Sequence, residues 1–101
     1  AWNNIVNINK TTVDFDAHRI LTLASTRINT VYLEGDGFSM DLALPEKIVN
    51  QNYTLTIEDN VLWISVNDVS YSKRLLTSDV TGSLSSGVST ISNVNGGILI
   101  T

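Results

Sequence analysis

The side chains best suited to acid–base or metal chemistry lie close together early in the chain: Asp14, Asp16 and His18. The alternation around them favours a strand, in which residues two apart share a face, so the two carboxylates could hold a cation together. Calcium requires six or more oxygen ligands, however, and the EF-hand spacing is absent. No nucleophile motif accompanies His18 for general-base chemistry. We therefore expect a solvated turn at His18, and neither a catalytic nor a metal-binding residue in the chain.

Three short motifs could each serve either binding or folding. The Gly35-Asp36-Gly37 segment could bind phosphate, but the pattern after it is that of a strand, which favours a hairpin turn. Trp2 and Trp63 could stack on a sugar, although the apolar run around Trp63 favours packing in a core or on a sheet. The Ile-x-Ile sequence at 98–100 directly follows a glycine turn, which favours a last strand over a tail that binds a partner.

The charge balance is acidic, with six Lys and Arg against ten Asp and Glu and a net charge of −4. The basic residues form no stripe that could neutralise phosphates, so we expect no nucleic-acid partner and no anionic membrane partner. The chain has no Cys and one His, which removes thiolate chemistry and a histidine-based zinc site. We expect no enzyme activity and no cofactor. Because the first residue is Ala1, we expect a processed chain or a fragment.

The elements that carry these residues are predicted to be short strands, because β-branched residues are abundant and apolar and polar residues often alternate. The predicted strands cover residues 12–16, 20–23, 30–34, 38–44, 53–58, 61–66, 69–77, 88–93 and 98–101. No segment of about 10 to 12 residues shows the period of a helix, so no helix is predicted. The sequence therefore predicts one all-β domain, residues 1–101, folded as an antiparallel immunoglobulin-like β-sandwich of seven to eight strands.

Four of these segments follow one another in an order that resembles a known family. Residues 30–45 read as two strands around a glycine turn, the second ending in Leu-Pro, and residues 53–64 read as a strand pair around Glu-Asp. Residues 71–77 resemble a further strand, and residues 88–100 a closing hairpin around Asn-Gly-Gly. The order and spacing are similar to those of the α-crystallin domain of small heat-shock proteins (Hsp20), over residues 28–101.

The resemblance implies an ATP-independent holdase chaperone that binds partly unfolded client proteins and forms dimers or larger homo-oligomers in the cytoplasm. It also implies two sites on the sandwich. The client groove would lie between two strands and would be lined by Leu55, Ile57, Val88 and Ile91. The dimer would form at an edge strand, antiparallel to its symmetry mate, through Tyr71, Ser72, Lys73 and Leu75. Residues 1–27 would be N-terminal strands, for which the resemblance implies no role.

One departure from the family pattern keeps other functions open. Only Asn67 and Asp68, with or without Val69, separate two strands, where bacterial and plant members carry a long loop with a swapped strand that builds the dimer. The short connection is also similar to co-chaperone domains of the CS or p23 type, which would make the chain an adaptor for a chaperone ATPase. The eleven Asn, eleven Ser and eleven Thr residues suit a further alternative, a structural or adhesive β-sandwich of a viral or surface appendage.

Overall fold

The computed structural model describes residues 2–101, with side chains from residue 13 onward. Within these residues one long helix is followed by seven strands. The elements are α1 (Trp2–Glu34), β1 (Ser39–Leu44), β2 (Tyr53–Glu58), β3 (Val61–Val66), β4 (Val69–Arg74), β5 (Val80–Thr81), β6 (Gly87–Val94) and β7 (Gly97–Ile100).

The strands form two sheets that share the helix. The four-stranded sheet has the order β1-β6-β7-β5, in which β1, β6 and β7 are antiparallel and the short β5 joins parallel to β7. The three-stranded sheet is an antiparallel meander of β2, β3 and β4. Helix α1 contacts β1, β6 and β7 of the first sheet and β3 and β4 of the second. More residues thus lie in strands than in the helix, and the strands form two sheets. This agrees with a β-sandwich as predicted, without its immunoglobulin-like details.

Helix α1 covers the segments 12–16, 20–23 and 30–34, so the three strands predicted there are wrong, as is the all-β class. Buried apolar residues in this part of the chain recur at steps of three and four, with Ile20 and Leu21 side by side on the same face. They are Ala17, Ile20, Leu21, Ala24, Ile28 and Val31. This spacing is that of one helix face, and it outweighs the local strand preference of the many Val, Ile and Thr residues. Sheet packing against that face therefore decides the conformation.

The Gly35–Gly37 segment ends the helix and does not make the predicted hairpin. Gly35 and Gly37 have φ angles of 97° and 92°, in the left-handed region that favours glycine after a helix C-terminus. The amide of Phe38 donates to the carbonyl of Gly35 at 3.3 Å, which closes the turn. The partner of β1 is therefore β6, more than forty residues later, and not the preceding segment.

The strands after the helix agree closely with the sequence prediction. Strands predicted over 38–44, 53–58, 61–66, 88–93 and 98–101 are confirmed within one residue. The strand predicted over 69–77 ends at Arg74, and β5 lies in a segment that was predicted as a loop. The inner faces of both sheets and the helix form one apolar core. Its fully buried strand residues include Leu42, Leu62, Ile64, Ile91 and Ile98.

Candidate functional site

The outer face of the three-stranded sheet, away from the core, is a regular array of three rows. In an antiparallel sheet, residues directly opposite one another share a face. The rows are Thr54–Ser65–Ser70, Thr56–Trp63–Ser72 and Glu58–Val61–Arg74, taken across β2, β3 and β4. Trp63 occupies the centre of the array. We call these nine residues the Trp63 face.

Alternation along β3 explains why a large aromatic side chain lies outside. Leu62, Ile64 and Val66 are buried, with no more than 2% of their surface exposed, and they occupy the inner face of the strand. Trp63 lies between two of them and must project outward, and 39% of its surface is exposed. Of the two placements that the sequence favoured for this residue, the core or a sheet face, the structure has the sheet face.

Hydroxyl groups surround Trp63 on the outer face. Thr56 and Ser72 are its direct cross-strand neighbours. In the adjacent row the Ser65 and Ser70 hydroxyls are joined by a hydrogen bond of 2.6 Å between their Oγ atoms. Hydroxyls both donate and accept hydrogen bonds, so this face can pair with a ligand rich in hydroxyl groups.

A second exposed surface lies on α1, opposite its buried face. Phe15, Leu23 and Leu33 expose 67%, 37% and 71% of their surfaces. A shallow groove along this side is lined by Phe15, His18, Arg19, Thr22, Leu23 and Thr26. The sequence analysis missed this surface because it depends on the helix. The signal in the sequence was Phe15 and Leu23 spaced two turns apart.

Asp14 and Asp16 do not form the joint cation site that would be possible if they lay on one face of a strand. On a helix, residues two apart point in different directions, so Asp14 and Asp16 have separate partners. Asp14 Oδ1 lies 3.8 Å from His18 Nε2, and Asp16 Oδ1 lies 3.9 Å from Arg19 Nη2. His18 is on the helix and not in a turn, which corrects that prediction. Among the residues whose side chains are described, no cluster of three metal-ligating groups occurs.

The pair formed by Asp14 and His18 also contacts Tyr71, on the edge strand β4 of the three-stranded sheet. The rings of His18 and Tyr71 have centroids 4.7 Å apart and are tilted by 58°. Hydrogen bonding to the Asp14 carboxylate raises the pKa of the Tyr71 phenol, and desolvation and the negative charge of Asp14 add to the rise. The cluster is exposed and joins helix to sheet, so it acts as a structural contact.

The four residues predicted to line a client groove do not come together on the surface. Leu55 and Ile91 are buried in the core, with 8% and 0% of their surfaces exposed, and Ile57 is half-buried against it. Val88 is 73% exposed and faces away from Ile91. In addition, β2 is an edge strand of one sheet, whereas β6 lies inside the other. These residues therefore do not form a solvent-open groove.

The four residues predicted for a dimer edge are placed partly as expected. Strand β4 is an edge of its sheet, so Tyr71, Ser72 and Lys73 lie on an edge strand. Leu75 lies beyond the end of β4 and is buried. Tyr71 turns toward the helix. Three of the four residues thus lie on an edge strand, and pairing with a second copy stays a prediction.

Comparison with known proteins gives no match: no family model, no curated protein and no solved structure is similar to the chain at a significant level, so none of them identifies a small heat-shock or CS domain. Among the described residues, no helix is both long and apolar enough to cross a bilayer.

Proposed function

We propose that this chain is a structural module that assembles with copies of itself through the exposed face of α1. The observation that carries this proposal is the exposure of large apolar side chains on the side of the helix opposite its buried face. The two sheets of the same chain bury one face of the helix, from Ala17 to Val31. Opposite it, Phe15 and Leu33 expose about two-thirds or more of their surfaces to solvent. Large apolar side chains that a fold leaves exposed are available to a second partner.

The spacing of the exposed positions favours another helix as that partner. Phe15 and Thr22 are seven residues apart, and so are Arg19 and Thr26, and then Thr26 and Leu33. A repeat of seven with steps of three and four keeps the same side chains against a neighbouring helix over several turns. A sheet surface has a period of two and does not match this repeat. Since α1 is the one helix in residues 2–101, the matching helix is α1 of a second copy.

The composition of this face predicts association of moderate strength. Burial of a Phe or Leu side chain contributes about 1.5–3 kcal/mol, so Phe15 and Leu33 would be the main sources of stabilisation. Thr22, Thr26 and Arg19 are polar and contribute less, but polar residues in a helix interface fix the register and the number of helices. This supports a defined oligomer over unspecific aggregation.

The experiment is sedimentation velocity of the wild type, Phe15→Asp and Val88→Asp over a range of concentrations. Val88 is the matched control because it is also an exposed apolar residue, 73% accessible, but lies on a strand. We expect an oligomer for the wild type and Val88→Asp, and a monomer with unchanged far-UV circular dichroism for Phe15→Asp. A wild type that stays monomeric at high concentration, or an oligomer that Phe15→Asp leaves intact, overturns the proposal.

A holdase chaperone of the α-crystallin type, with an immunoglobulin-like sandwich, is the second candidate. It is favoured by the exposed edge strand β4 and by exposed apolar side chains near it, such as Leu76 and Val69. Unpaired strand edges and apolar surface can capture extended, partly unfolded chains. Light scattering of a heat-denatured client without nucleotide tests this candidate. Suppression at a near-equal molar ratio supports it, and no suppression at any ratio contradicts it.

A further inference from the structure

We propose that Asn95 is a deamidation site, and that the buried side chain of Asn93 prevents the reaction for as long as the end of α1 stays packed on the sheet. This inference concerns the turn between β6 and β7 and does not depend on the proposed assembly. Asn95 and Gly96 form the one Asn-Gly sequence in the chain. Both residues are exposed in this turn, so water and base reach them.

The reaction at an Asn-Gly sequence needs no enzyme and no cofactor. Base removes the proton from the Gly96 amide, and the nitrogen attacks Cγ of Asn95. A bond forms between these two atoms, the bond from Cγ to Nδ2 breaks, and Nδ2 takes up a proton and leaves as ammonia. Water then opens the cyclic imide, to aspartate at one carbonyl or to isoaspartate at the other. Glycine favours the reaction because it has no Cβ to hinder the attack.

The attacking nitrogen is already engaged in the folded chain. The Gly96 amide donates to Oδ1 of Asn93 at 2.9 Å. Asn93 is 2% exposed, and its Nδ2 donates in turn to the carbonyls of Val31 and Tyr32 at the end of α1. Loss of the Gly96 proton would leave a negative nitrogen against a carbonyl oxygen, which is unfavourable. Deprotonation therefore requires that Asn93 first move away.

The conformation of the turn also keeps the reacting atoms apart. Asn95 has a φ of 54°, in the left-handed region, where ψ is positive as well. With such a ψ the Cβ of an L-residue is turned away from the next amide nitrogen, so the imide ring closes only after a large rotation about the Cα–C bond. Hydrogen bonds on both sides of that bond oppose the rotation. The Asn95 amide donates to Oδ1 of Asp36 at 2.7 Å, and the Gly96 amide donates to Asn93.

Asn93 also holds the second sequence with this chemistry. Asp36 and Gly37 form the one Asp-Gly sequence in the chain, and such a pair forms the same imide by loss of water. The Gly37 amide donates to the main-chain carbonyl of Asn93 at 2.9 Å. Both glycine amides are thus bound to one residue, which is itself bound to the end of the helix. Asn95 should react first, because a carboxylate is a poorer electrophile than an amide.

The products would disfavour a return to the closed state. Aspartate at position 95 would place a second carboxylate near Asp36, after the C-terminus of α1, where the helix dipole disfavours negative charge. Isoaspartate would add one carbon to the main chain in a two-residue turn whose ends, Val94 and Gly97, are paired. The modification would therefore mark, irreversibly, those chains in which this end of the molecule has opened.

The experiment follows position 95 by peptide mapping and mass spectrometry while the whole chain is incubated in mildly alkaline buffer. The same chain unfolded in urea gives the rate without protection. We expect aspartate and isoaspartate to form at least about tenfold more slowly in the folded wild type, because the reaction needs local opening. Asn93→Ala removes the acceptor of the Gly96 amide and should raise the folded rate about fivefold or more.

Two further variants keep the test decisive if Asn93→Ala does not fold. Asp36→Ala, at an exposed residue, removes the acceptor of the Asn95 amide and should also raise the rate. Asp41→Ala is the matched control, since Asp41 is exposed and accepts a hydrogen bond from Thr90, but lies on β1. It should keep the wild-type rate.

Three outcomes would overturn the proposal. Position 95 could stay unmodified in urea, which would remove the site itself. The folded and unfolded wild type could react at the same rate, which would remove the protection. A folded Asn93→Ala or Asp36→Ala could react no faster than Asp41→Ala, which would show that these hydrogen bonds do not control the reaction.

Discussion

The two sheets hold helix α1 in different ways. The four-stranded sheet reaches the end of the helix with a buried side chain, Asn93, which is 2% exposed. Its Nδ2 donates to the carbonyls of Val31 and Tyr32 at 3.1 and 3.3 Å, and its Oδ1 accepts from the amide of Gly96 at 2.9 Å. The three-stranded sheet adds exposed polar contacts to its apolar packing, including Asn29 Oδ1, which accepts from the Leu76 amide at 2.9 Å.

The difference is between buried hydrogen bonds at the end of the helix and exposed polar contacts elsewhere along it. Carbonyls in the last turn of a helix have no partner within the helix, and Asn93 satisfies two of them from another element. A buried amide of this kind tolerates no displacement, since a lost partner leaves polar groups unpaired away from water. The exposed contacts of the other sheet, such as that between Asn29 and Leu76, can be replaced by water at little cost.

The largest effects are expected from Ile64→Ala and Ile91→Ala, one central residue of each sheet. Both side chains are fully buried, and removal of such groups costs about 2–5 kcal/mol. The core is one cluster that spans both sheets and the helix, so each variant should unfold in a single transition. Urea unfolding followed by circular dichroism and by fluorescence checks this. Separate transitions for the two signals would show that the sheets are independent.

A somewhat smaller effect is expected from Asn93→Ala, which tests the buried hydrogen bonds at the end of the helix. The change leaves the Val31 and Tyr32 carbonyls and the Gly96 amide without their partner, and should lower the free energy of unfolding by about 1–3 kcal/mol. Amide hydrogen exchange should quicken near residues 31–34 before it quickens elsewhere. Asn52→Ala, at an exposed asparagine, is the matched control. Equal effects of the two variants would remove the distinction between the sheets.

Gly82→Ala tests how closely the edge of the four-stranded sheet is packed. A Cβ at Gly82 would clash with the carbonyl oxygen of Ile100, at a φ of 100°. Gly35 has a similar φ of 97° but open space around it, so Gly35→Ala measures the backbone strain alone. We expect a cost of about 1 kcal/mol for Gly35→Ala and a larger one for Gly82→Ala. Equal melting temperatures of the two variants would contradict the close approach.

The smallest effect is expected from Tyr71→Phe, at the exposed contact between the helix and the three-stranded sheet. The raised pKa of Tyr71 means that its phenol contributes stability below about pH 10, and that this contribution is lost as the pH rises through the folded-state value. The contact is exposed, so at neutral pH the variant should differ by less than about 0.5 kcal/mol.

The pH profile gives this prediction its test. Above pH 10 the wild type should lose stability more steeply than Tyr71→Phe, whereas Tyr53, whose pKa burial also raises, contributes equally to both proteins. Parallel profiles of unfolding free energy from pH 8 to 11 would show that the bond to Asp14 does not contribute.

The strands were predictable and the helix was not, for a physical reason. In β2 and β3 local propensity, alternation and turn residues agree, and Asp59 adopts the positive φ that such a turn needs. In α1 propensity and period disagree: Val31 and Ile28 favour strands locally, yet with Ala24 they complete a helical face. A count of three- and four-residue steps from Ala17 to Val31 contains the helix signal, which the short alternating stretches conceal.

For the candidate sites, too, the local sequence pattern predicts one part and the pairing of distant segments determines the rest. The alternation of β3 fixes Trp63 opposite Leu62 and Ile64, but only the cross-strand register places Thr56 and Ser72 beside it. That register depends on turn geometry and on which strands pair, which period alone does not determine. The expected groove was misplaced for a related reason, because β6 lies between β1 and β7 and is not an edge.

The pairing of β1 with β6 has a consequence for the time course of folding. Strands β2, β3 and β4 follow one another with turns of two residues, so this meander can form from neighbours in the chain. The contact between Ser39 and Ser92 joins residues more than fifty positions apart, and closure of so long a loop is slow because its entropy is lost before the contact forms. We therefore expect the meander and the helix to form first. The pairing of β1 with β6 should be the rate-limiting step of folding.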